Sequence, residues 1–413
     1  MNRLWKKDSP IVRSIIETDV YKFLMMYFIW RFFPNLRVKF EFTNRSKSVR
    51  LAELIDLGLL KENIRHVQSL RFMDAHIAYL RGWSMFPEAF LLALRDIRLP
   101  DVLVETAPNG QLRIVAEGLW FEVTLWELFI LPMITELRAR RVIGEDDSAH
   151  AVVIKDGEER LCAKIPVLKT LHWKIALFDL RRRLTGDWER HTTEILYGQI
   201  PTHLSGISNV QLASETGVEP TGTTAHELSM ALVALRAHEG EEAMRWALYE
   251  VLEKWQRLYG HKALIMLPDT FGSEYFFHNI PKHYLRDYRG IRQDSGDPFE
   301  QGEAYIRIYG EENISPLQKL ALFTDGLTPK KMVALEQRFL GRIGGGFGWG
   351  TNKGHDVGIL DPISIVMKLV EAAGNPAAKL SDNMDKAVGF DVVVSEMRRI
   401  FHHRSLFREQ PVY

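Results

Sequence analysis

Several short stretches bring together residue types that can do chemistry. Arg292-Gln293-Asp294-Ser295-Gly296-Asp297-Pro298 follows an apolar lead-in from Gly290, delivers a cation and carboxylates, and then breaks on Gly and Pro. A strand that ends in charged side chains before a turn is a common way to build a site. Taken alone, the stretch reads first as a solvated turn. Phe323-Thr324-Asp325-Gly326 repeats the pattern, a strand ending in a carboxylate. Carboxylates so placed bind sugar hydroxyls or hold Mg²⁺ through water. Paired acids for glycoside hydrolysis are the rival chemistry.

Phosphate-type features argue against that rival. Gly344-Gly345-Gly346-Phe347-Gly348-Trp349-Gly350-Thr351-Asn352 is rich in glycine, which lets backbone N–H groups approach an anion. It lacks the Gly-Lys-Ser/Thr ending of a nucleotide-binding P-loop. It reads either as a flexible loop or as a phosphate cradle at the end of a late barrel strand. Thr221-Gly222-Thr223-Thr224-Ala225-His226-Glu227 places a histidine at a helix start, after a donor-rich turn suited to handling phosphate. A lone histidine is more often structural. Arg181-Arg182-Arg183 follows Phe178. Consecutive side chains point in different directions, so the triplet is either a basic surface corner or a contact for a planar, anionic ligand.

These residues must be positioned by elements legible in the same sequence. Residues 14–33 have helical spacing of Tyr21, Leu24, Met25 and Phe28, with Thr18 or Asp19 to cap them. Arg37–Thr43 alternates as a strand, 51–81 is helical, and 102–106 with 111–116 flanks a Pro108-Asn109-Gly110 turn as a hairpin. Leu119–Arg140 is an apolar helix or helix pair expected to break at Pro132, followed by a polar loop at 144–149 and a turn at Asp156-Gly157. From about residue 160, apolar runs at 203–208, 263–269, 289–294, 320–325, 341–346 and 377–381 alternate with helical stretches. That pattern predicts a parallel sheet built from βα units. The expected class is α/β: an N-terminal α+β domain over 1–150, an irregular (β/α) barrel over 151–385, and a tail over 386–413 packing back on the N-terminal domain. In such a barrel the site forms at the C-terminal strand ends.

Composition narrows the partners. The chain has 413 residues, enough for more than one domain, with 46% hydrophobic and 26% charged residues, the balance of a soluble globular protein. Its 53 basic and 53 acidic residues cancel, so bulk charge gives no support for a nucleic-acid or membrane-surface partner, and any basic site must be local. The single cysteine, Cys162, excludes an intramolecular disulfide and a cysteine metal site. Met1–Pro10 lacks the apolar core of a signal peptide, and Val20–Phe33 is too short and too charged to span a bilayer, so a cytoplasmic enzyme is expected.

Taken in order, Thr18-Asp19 with Tyr21-Lys22, Phe40-Glu41-Phe42 with Arg45, Arg181–Arg183, Gly222–Glu227, Arg292–Pro298 and Phe347–Thr351 resemble the nicotinate phosphoribosyltransferase family. The resemblance runs from about residue 14 to residue 385. No one motif decides it; their shared order is what is specific. It implies a type II phosphoribosyltransferase-like fold, usually homodimeric with the site near the subunit interface. It implies transfer of a phosphoribosyl group from phosphoribosyl pyrophosphate to nicotinate, giving nicotinate mononucleotide and pyrophosphate in NAD salvage. It also implies ATP as co-substrate, with ligase-type coupling through a phosphohistidine at the position of His226, and Mg²⁺.

The resemblance further implies roles, residue by residue. Tyr21 and Phe178 match the aromatic pair that sandwiches the pyridine ring. Arg292 would bind phosphate or the substrate carboxylate. Asp294 and Asp325 would hold ribose hydroxyls or Mg²⁺, with Asp294 the metal ligand. Gly346, Gly348, Gly350 and Thr351 would hold the 5′-phosphate. Arg45 and Arg181 would face the pyrophosphate, with the supplying subunit of Arg45 left open. Relatives using nicotinamide carry Asp where this chain has Ser208, and a serine can donate to a carboxylate, which favours nicotinate. Asp179 stands where relatives often have Gly, and Gly326-Leu327 where bacterial relatives often have Asn-Leu, which bears on the ring loop and the ribose contact. The alternatives are the same fold acting on nicotinamide, a non-catalytic phosphoribosyl-binding protein, and a sugar-phosphate lyase or isomerase barrel.

Overall fold

A computed structural model describes residues 1–409. Its strands are β1 (Arg37–Asn44), β2 (Val102–Thr106), β3 (Leu112–Leu119), β4 (Ile175–Leu177), β5 (Leu204–Ile207), β6 (Ile265–Met266), β7 (Gly290–Gln293), β8 (Leu320–Phe323), β9 (Gly344–Trp349), β10 (Ile365–Ala372) and β11 (Asn375–Pro376). They form a five-stranded sheet ordered β11-β10-β1-β3-β2 and a six-stranded sheet ordered β5-β4-β9-β8-β7-β6.

The second sheet is parallel along its whole order. It supplies the parallel strands of the expected irregular barrel, with β5 and β6 at its edges. Its β5 edge is met by the segment after Val218, where Ile207 bridges Pro220 and the Thr221 N–H donates to the Ile207 carbonyl at 2.9 Å. The glycine run is the strand β9 and not a loop. A Cβ at Gly345 would come within 2.3 Å of the Trp173 ring, so the glycines make room for aromatic side chains across the strand.

The first sheet is antiparallel. The hairpin forms as expected, with Gly110 at φ +75° in the turn. The domain boundaries read from the sequence require correction, because β10 returns from the far end of the chain to pair with β1, Phe42 opposite Met367. The N-terminal layer is therefore closed by residues from beyond the barrel strands. The expected strand at 377–381 is reduced to a single bridge between Lys379 and Val388, since Ser381 turns the chain at φ +70°. Within 386–409, the Lys386 carbonyl accepts from Arg45 Nη2 of the N-terminal domain at 2.6 Å, and residues 410–413 of the expected tail lie outside the described residues. Phe401 stacks on Phe271 with ring centroids 4.4 Å apart, and 403–409 run along the barrel mouth.

Two expected breaks are absent. The helix Trp126–Ile143 runs through Pro132, and the chain bends earlier, after Trp120–Val123. An internal proline costs a helix about 3 kcal/mol, and burial of this helix on nearly every side offsets it. Asp156-Gly157 lies inside the helix Asp147–Leu168. Gly157 permits close packing: a Cβ there would sit 2.6 Å from the Trp188 indole. Among the described residues no helix is long and apolar enough to cross a membrane.

Candidate active site

Residues delivered by the ends of β4, β7, β8 and β9 meet in one cleft with Tyr21, Arg45, His226, Lys368, Lys379 and Lys386. Tyr21 comes from the buried helix Val20–Phe32 and Phe178 from the first residue after β4. The missing Cβ of Gly348 makes room for the Phe178 ring, to which a Cβ would approach within 2.8 Å, and Gly350 lies against the Phe178 carbonyl. Thr351 begins a short helical turn at the same wall. Cations outnumber carboxylates here: Arg45, Arg181, Arg182, Arg292, Lys368, Lys379 and Lys386 line the cleft against Asp294 and Asp325. A neutral chain thus concentrates its positive charge where a polyanion would bind.

The strand end of β7 supplies the centre. Arg292 Nη2 donates to Asp294 Oδ1 at 2.5 Å, its Nε to Thr324 Oγ1 at 3.1 Å, and its Nη1 to Thr223 Oγ1 and the Thr224 carbonyl, both at 3.1 Å. Each guanidinium nitrogen has a protein partner, so Arg292 holds Asp294 and the 223–224 turn in place; the free fork expected of it is already engaged. The Arg292 charge and the His226 ring hold the Asp294 carboxyl well below the usual range despite burial.

His226 sits just before the helix Glu227–Leu235 and is 5% exposed. Its Nε2 lies 2.9 Å from Asp294 Oδ2 and 2.9 Å from Lys379 Nζ. Its Nδ1 lies 3.0 Å from Thr270 Oγ1 and 3.8 Å from Asp269 Oδ1. Burial, with the Lys379 charge behind it, pushes the imidazole down to about 4, so the ring is neutral at pH 7. A neutral ring with one nitrogen anchored and the other facing a cationic cleft is a competent nucleophile toward phosphorus.

At the other wall, buried Glu127 gathers Lys368 at 2.7 Å, Lys22 at 3.0 Å and Arg181 at 3.5 Å. Burial opposes its charge, and those cations outweigh it, so the carboxyl stays ionised. Burial pulls Lys368 down to about 8. Arg183, by contrast, is structural: it is buried between Glu17 at 2.6 Å and Glu189 at 2.8 Å.

The sequence-derived residues divide accordingly. Tyr21, Arg45, Phe178, Arg181, His226, Arg292, Asp294, Asp325, Gly348, Gly350 and Thr351 come together, with Arg45 reaching the cleft from its own chain. Ser208 does not. Its hydroxyl proton goes to Asp19 Oδ1 at 2.6 Å behind the start of the Tyr21 helix, so it cannot donate to a substrate carboxylate. Gly346 faces the barrel interior, where a cavity of about 1340 Å³ runs under the cleft floor. Asp179 does not enter the cleft either; it is bound to buried Lys353 at 2.9 Å. The residues missed were Lys379, Lys386, Lys368, Glu127 and Asp269. Of these only Asp269 and Lys379 left a sequence signal, as polar residues within the expected strands at 263–269 and 377–381.

A cation site can be judged from the same atoms. His226, Asp269 and Asp294 each offer a ligand atom within 4.8 Å of the others, and the buried Asp269 Oδ1 has no hydrogen-bond partner. Mg²⁺ takes oxygen ligands and usually shares them with substrate phosphates. Asp294 and Asp269 suit it, while the His226 nitrogen and the neighbouring Lys379 ammonium do not.

The family model described as "Nicotinate phosphoribosyltransferase (NAPRTase) family" matches residues 173–405, and that of its N-terminal domain matches residues 16–135. The crystal structure of nicotinate phosphoribosyltransferase from Porphyromonas gingivalis is 30% identical with a TM-score of 0.86, covering 95% of this chain and 100% of that one. The enzyme of that name from Vibrio cholerae is 29% identical with a TM-score of 0.86, covering 99% and 97%. A putative nicotinate phosphoribosyltransferase from Saccharomyces cerevisiae is 25% identical with a TM-score of 0.85, covering 97% and 100%.

Proposed function

The chain belongs to the nicotinate phosphoribosyltransferase family, and on that premise we propose how its cleft forms nicotinate mononucleotide from nicotinate and phosphoribosyl pyrophosphate in NAD salvage. The bond between ribose C1 and the pyrophosphate oxygen breaks, a bond from C1 to the pyridine nitrogen forms, and pyrophosphate leaves with the electron pair. The transition state carries oxocarbenium character, so the protein must hold the sugar, orient the base and neutralise the leaving group.

Tyr21 and Phe178 bracket the planar base, and Gly348 gives Phe178 its room. Asp294 and Asp325 face the ribose hydroxyls. Thr351 and the chain at Gly348 and Gly350 receive the 5′-phosphate. Arg45, Lys379 and Lys386 face the pyrophosphate, with Arg181 between the two ends. Mg²⁺, held by Asp294 together with substrate phosphate oxygens, would neutralise charge on the leaving group.

The observation that carries the reading is neutral His226 between Lys379 and Asp294 at the anion end of the cleft. ATP hydrolysis is coupled there. His226 Nε2 bonds to the γ-phosphorus of ATP as its bond to the β,γ-bridging oxygen breaks, and ADP leaves. Water later cleaves the phosphohistidine to inorganic phosphate. We place the protein in the cytoplasm as a homodimer; sedimentation of the purified chain tests the dimer. The function is tested by incubating the protein with phosphoribosyl pyrophosphate and each base, with and without ATP, and weighing the product. Nicotinate mononucleotide formation accelerated by ATP is expected. Turnover of nicotinamide alone would reassign the substrate, and no pyrophosphate release with either base would leave a binding protein.

A further inference from the structure

The two lysines at the anion end of the cleft lie on one short loop. Lys379 reaches His226, and Lys386 donates to the Asp294 carbonyl at 3.0 Å and pairs with Asp325. The Lys386 carbonyl in turn accepts from Arg45 Nη2 at 2.6 Å. Between these lysines, each residue from 381 to 385 is bonded to the last described part of the chain. His403 Nε2 lies 2.9 Å from the Ser381 carbonyl, and Ser405 Oγ donates to the Asp382 carbonyl at 2.6 Å. Asn383 Nδ2 donates to the Glu409 carbonyl at 2.7 Å, and the Met384 N–H to the Phe407 carbonyl at 3.0 Å. Arg408 pairs with Asp385 at 3.2 Å.

The inner face of this loop brings two ammonium groups and Arg45 together, and their mutual repulsion is offset by carboxylates, Asp325 paired with Lys386 and Asp269 3.5 Å from Lys379. Ser381 adopts φ +70°, a conformation a serine does not choose unaided. Contacts on the outer face are therefore needed to fix the backbone.

We propose that residues 403–409 are a positioning segment for the phosphoribosyl pyrophosphate site, acting through Ser405 and Asn383 on Lys379 and Lys386. The segment touches no substrate. It sets where the two lysines stand, and so tunes affinity for the pyrophosphate group while leaving the base subsite between Tyr21 and Phe178 alone. This rests on the assignment above of the lysine end of the cleft to pyrophosphate.

The test compares the full chain, a chain ending at His402, and Ser405→Ala. Two quantities are measured: the Kd for inorganic pyrophosphate with Mg²⁺ by calorimetry, and the KM values for nicotinate and for phosphoribosyl pyrophosphate. In the shortened chain, pyrophosphate affinity is expected to fall, and the KM for phosphoribosyl pyrophosphate to rise, by about tenfold, the effect of losing one charge-assisted hydrogen bond. The KM for nicotinate should stay close to that of the full chain. Ser405→Ala should shift the same two quantities in the same direction by a smaller factor, and Ser405→Thr, which keeps the hydroxyl, should restore them. Unchanged pyrophosphate affinity in both altered chains overturns the inference, as does an equal rise in both KM values. If the shortened chain does not fold, Ser405→Ala against Ser405→Thr decides. A full chain that binds pyrophosphate but makes no nicotinate mononucleotide would instead sink the functional reading, with the binding comparison still deciding this one.

Discussion

Lys379 Nζ and Asp294 Oδ2 stand at the same distance, 2.9 Å, from the Nε2 of His226. An ammonium can only donate and a carboxylate only accept, so they select opposite tautomers of the ring. With the proton on Nε2, the ring donates to Asp294. With the proton on Nδ1, directed at Thr270, the Nε2 lone pair accepts from Lys379. Only the second tautomer can attack phosphorus. Anything that occupies Asp294, such as Mg²⁺ or a ribose hydroxyl, removes the competing acceptor and favours it. On the proposed function, substrate binding at Asp294 would thereby prime His226.

Lys379→Met should therefore shift the ring toward the Asp294-bonded tautomer. Loss of the neighbouring cation also raises the His226 pKa, because that charge is one of the causes depressing it. Formation of acid-labile phosphoprotein from ATP should drop about a hundredfold or more, the scale for removing one preorganised electrostatic stabiliser of a transition state. Wild-type levels of phosphoprotein would show that Lys379 does not govern the ring.

His226→Asn should abolish ATP hydrolysis coupled to turnover and leave some ATP-independent synthesis. The asparagine keeps a side-chain amide near Asp294 but has no nucleophilic nitrogen. Coupled release of ADP at the wild-type ratio to nicotinate mononucleotide would remove His226 from its assigned role.

Gly348→Ala probes the base subsite. The new methyl would lie 2.8 Å from both the Phe178 ring and the Thr324 methyl, neither of which is free to move far. Overpacking of this kind costs roughly 1–3 kcal/mol, which here displaces the ring that faces the base. The KM for nicotinate should rise about tenfold or more by that estimate, with the KM for phosphoribosyl pyrophosphate changed less. Equal change in both constants would mean that Gly348 serves the strand and not the ring.

The sequence exposed the parts of the site that sit on strand ends. Arg292, Asp294 and Asp325 follow apolar runs that became β7 and β8, and His226 opens a helix behind a Thr-rich turn, so local pattern sufficed. Lys379 and Lys386 left little such trace. Their placement depends on contacts from 403–409 and on a partner 153 residues away, neither of which has a period or a composition. Strand β10 was missed for a related reason: Ile365–Ala372 has β-branched and apolar residues, but its partner β1 lies at the other end of the chain. Ser208 was misplaced because one residue type can serve two acceptors, and only the fold showed that Asp19 takes its proton. Asp156-Gly157 failed because a glycine that permits close packing looks, in sequence, like one that permits a turn.

Acid stability offers a check that does not depend on turnover. His226 and His355 are both pushed down by burial to about 4, from an ordinary value of 6.5. Between those values the unfolded chain binds protons that the folded chain refuses, so each ring makes the fold lose stability as pH falls from 6.5 to 4. At about 1.4 kcal/mol per pH unit, each contributes a loss of about 3 kcal/mol over that range. Asp382 and Glu189 work against it. Burial raises both to about 7, so the folded chain keeps protons that the unfolded chain has released, and their contribution grows as pH falls through 7 toward the ordinary carboxyl range. The net acid limb is thus a difference between opposed groups. His355→Gln isolates one of them: the residue is buried, outside the cleft, and bonded through Nδ1 to the Arg182 carbonyl at 3.0 Å, a contact the glutamine amide can reproduce. Urea unfolding of wild type and variant from pH 7 to 4 should show the variant losing less stability on acidification. Parallel curves would mean that His355 titrates as it does in the unfolded chain.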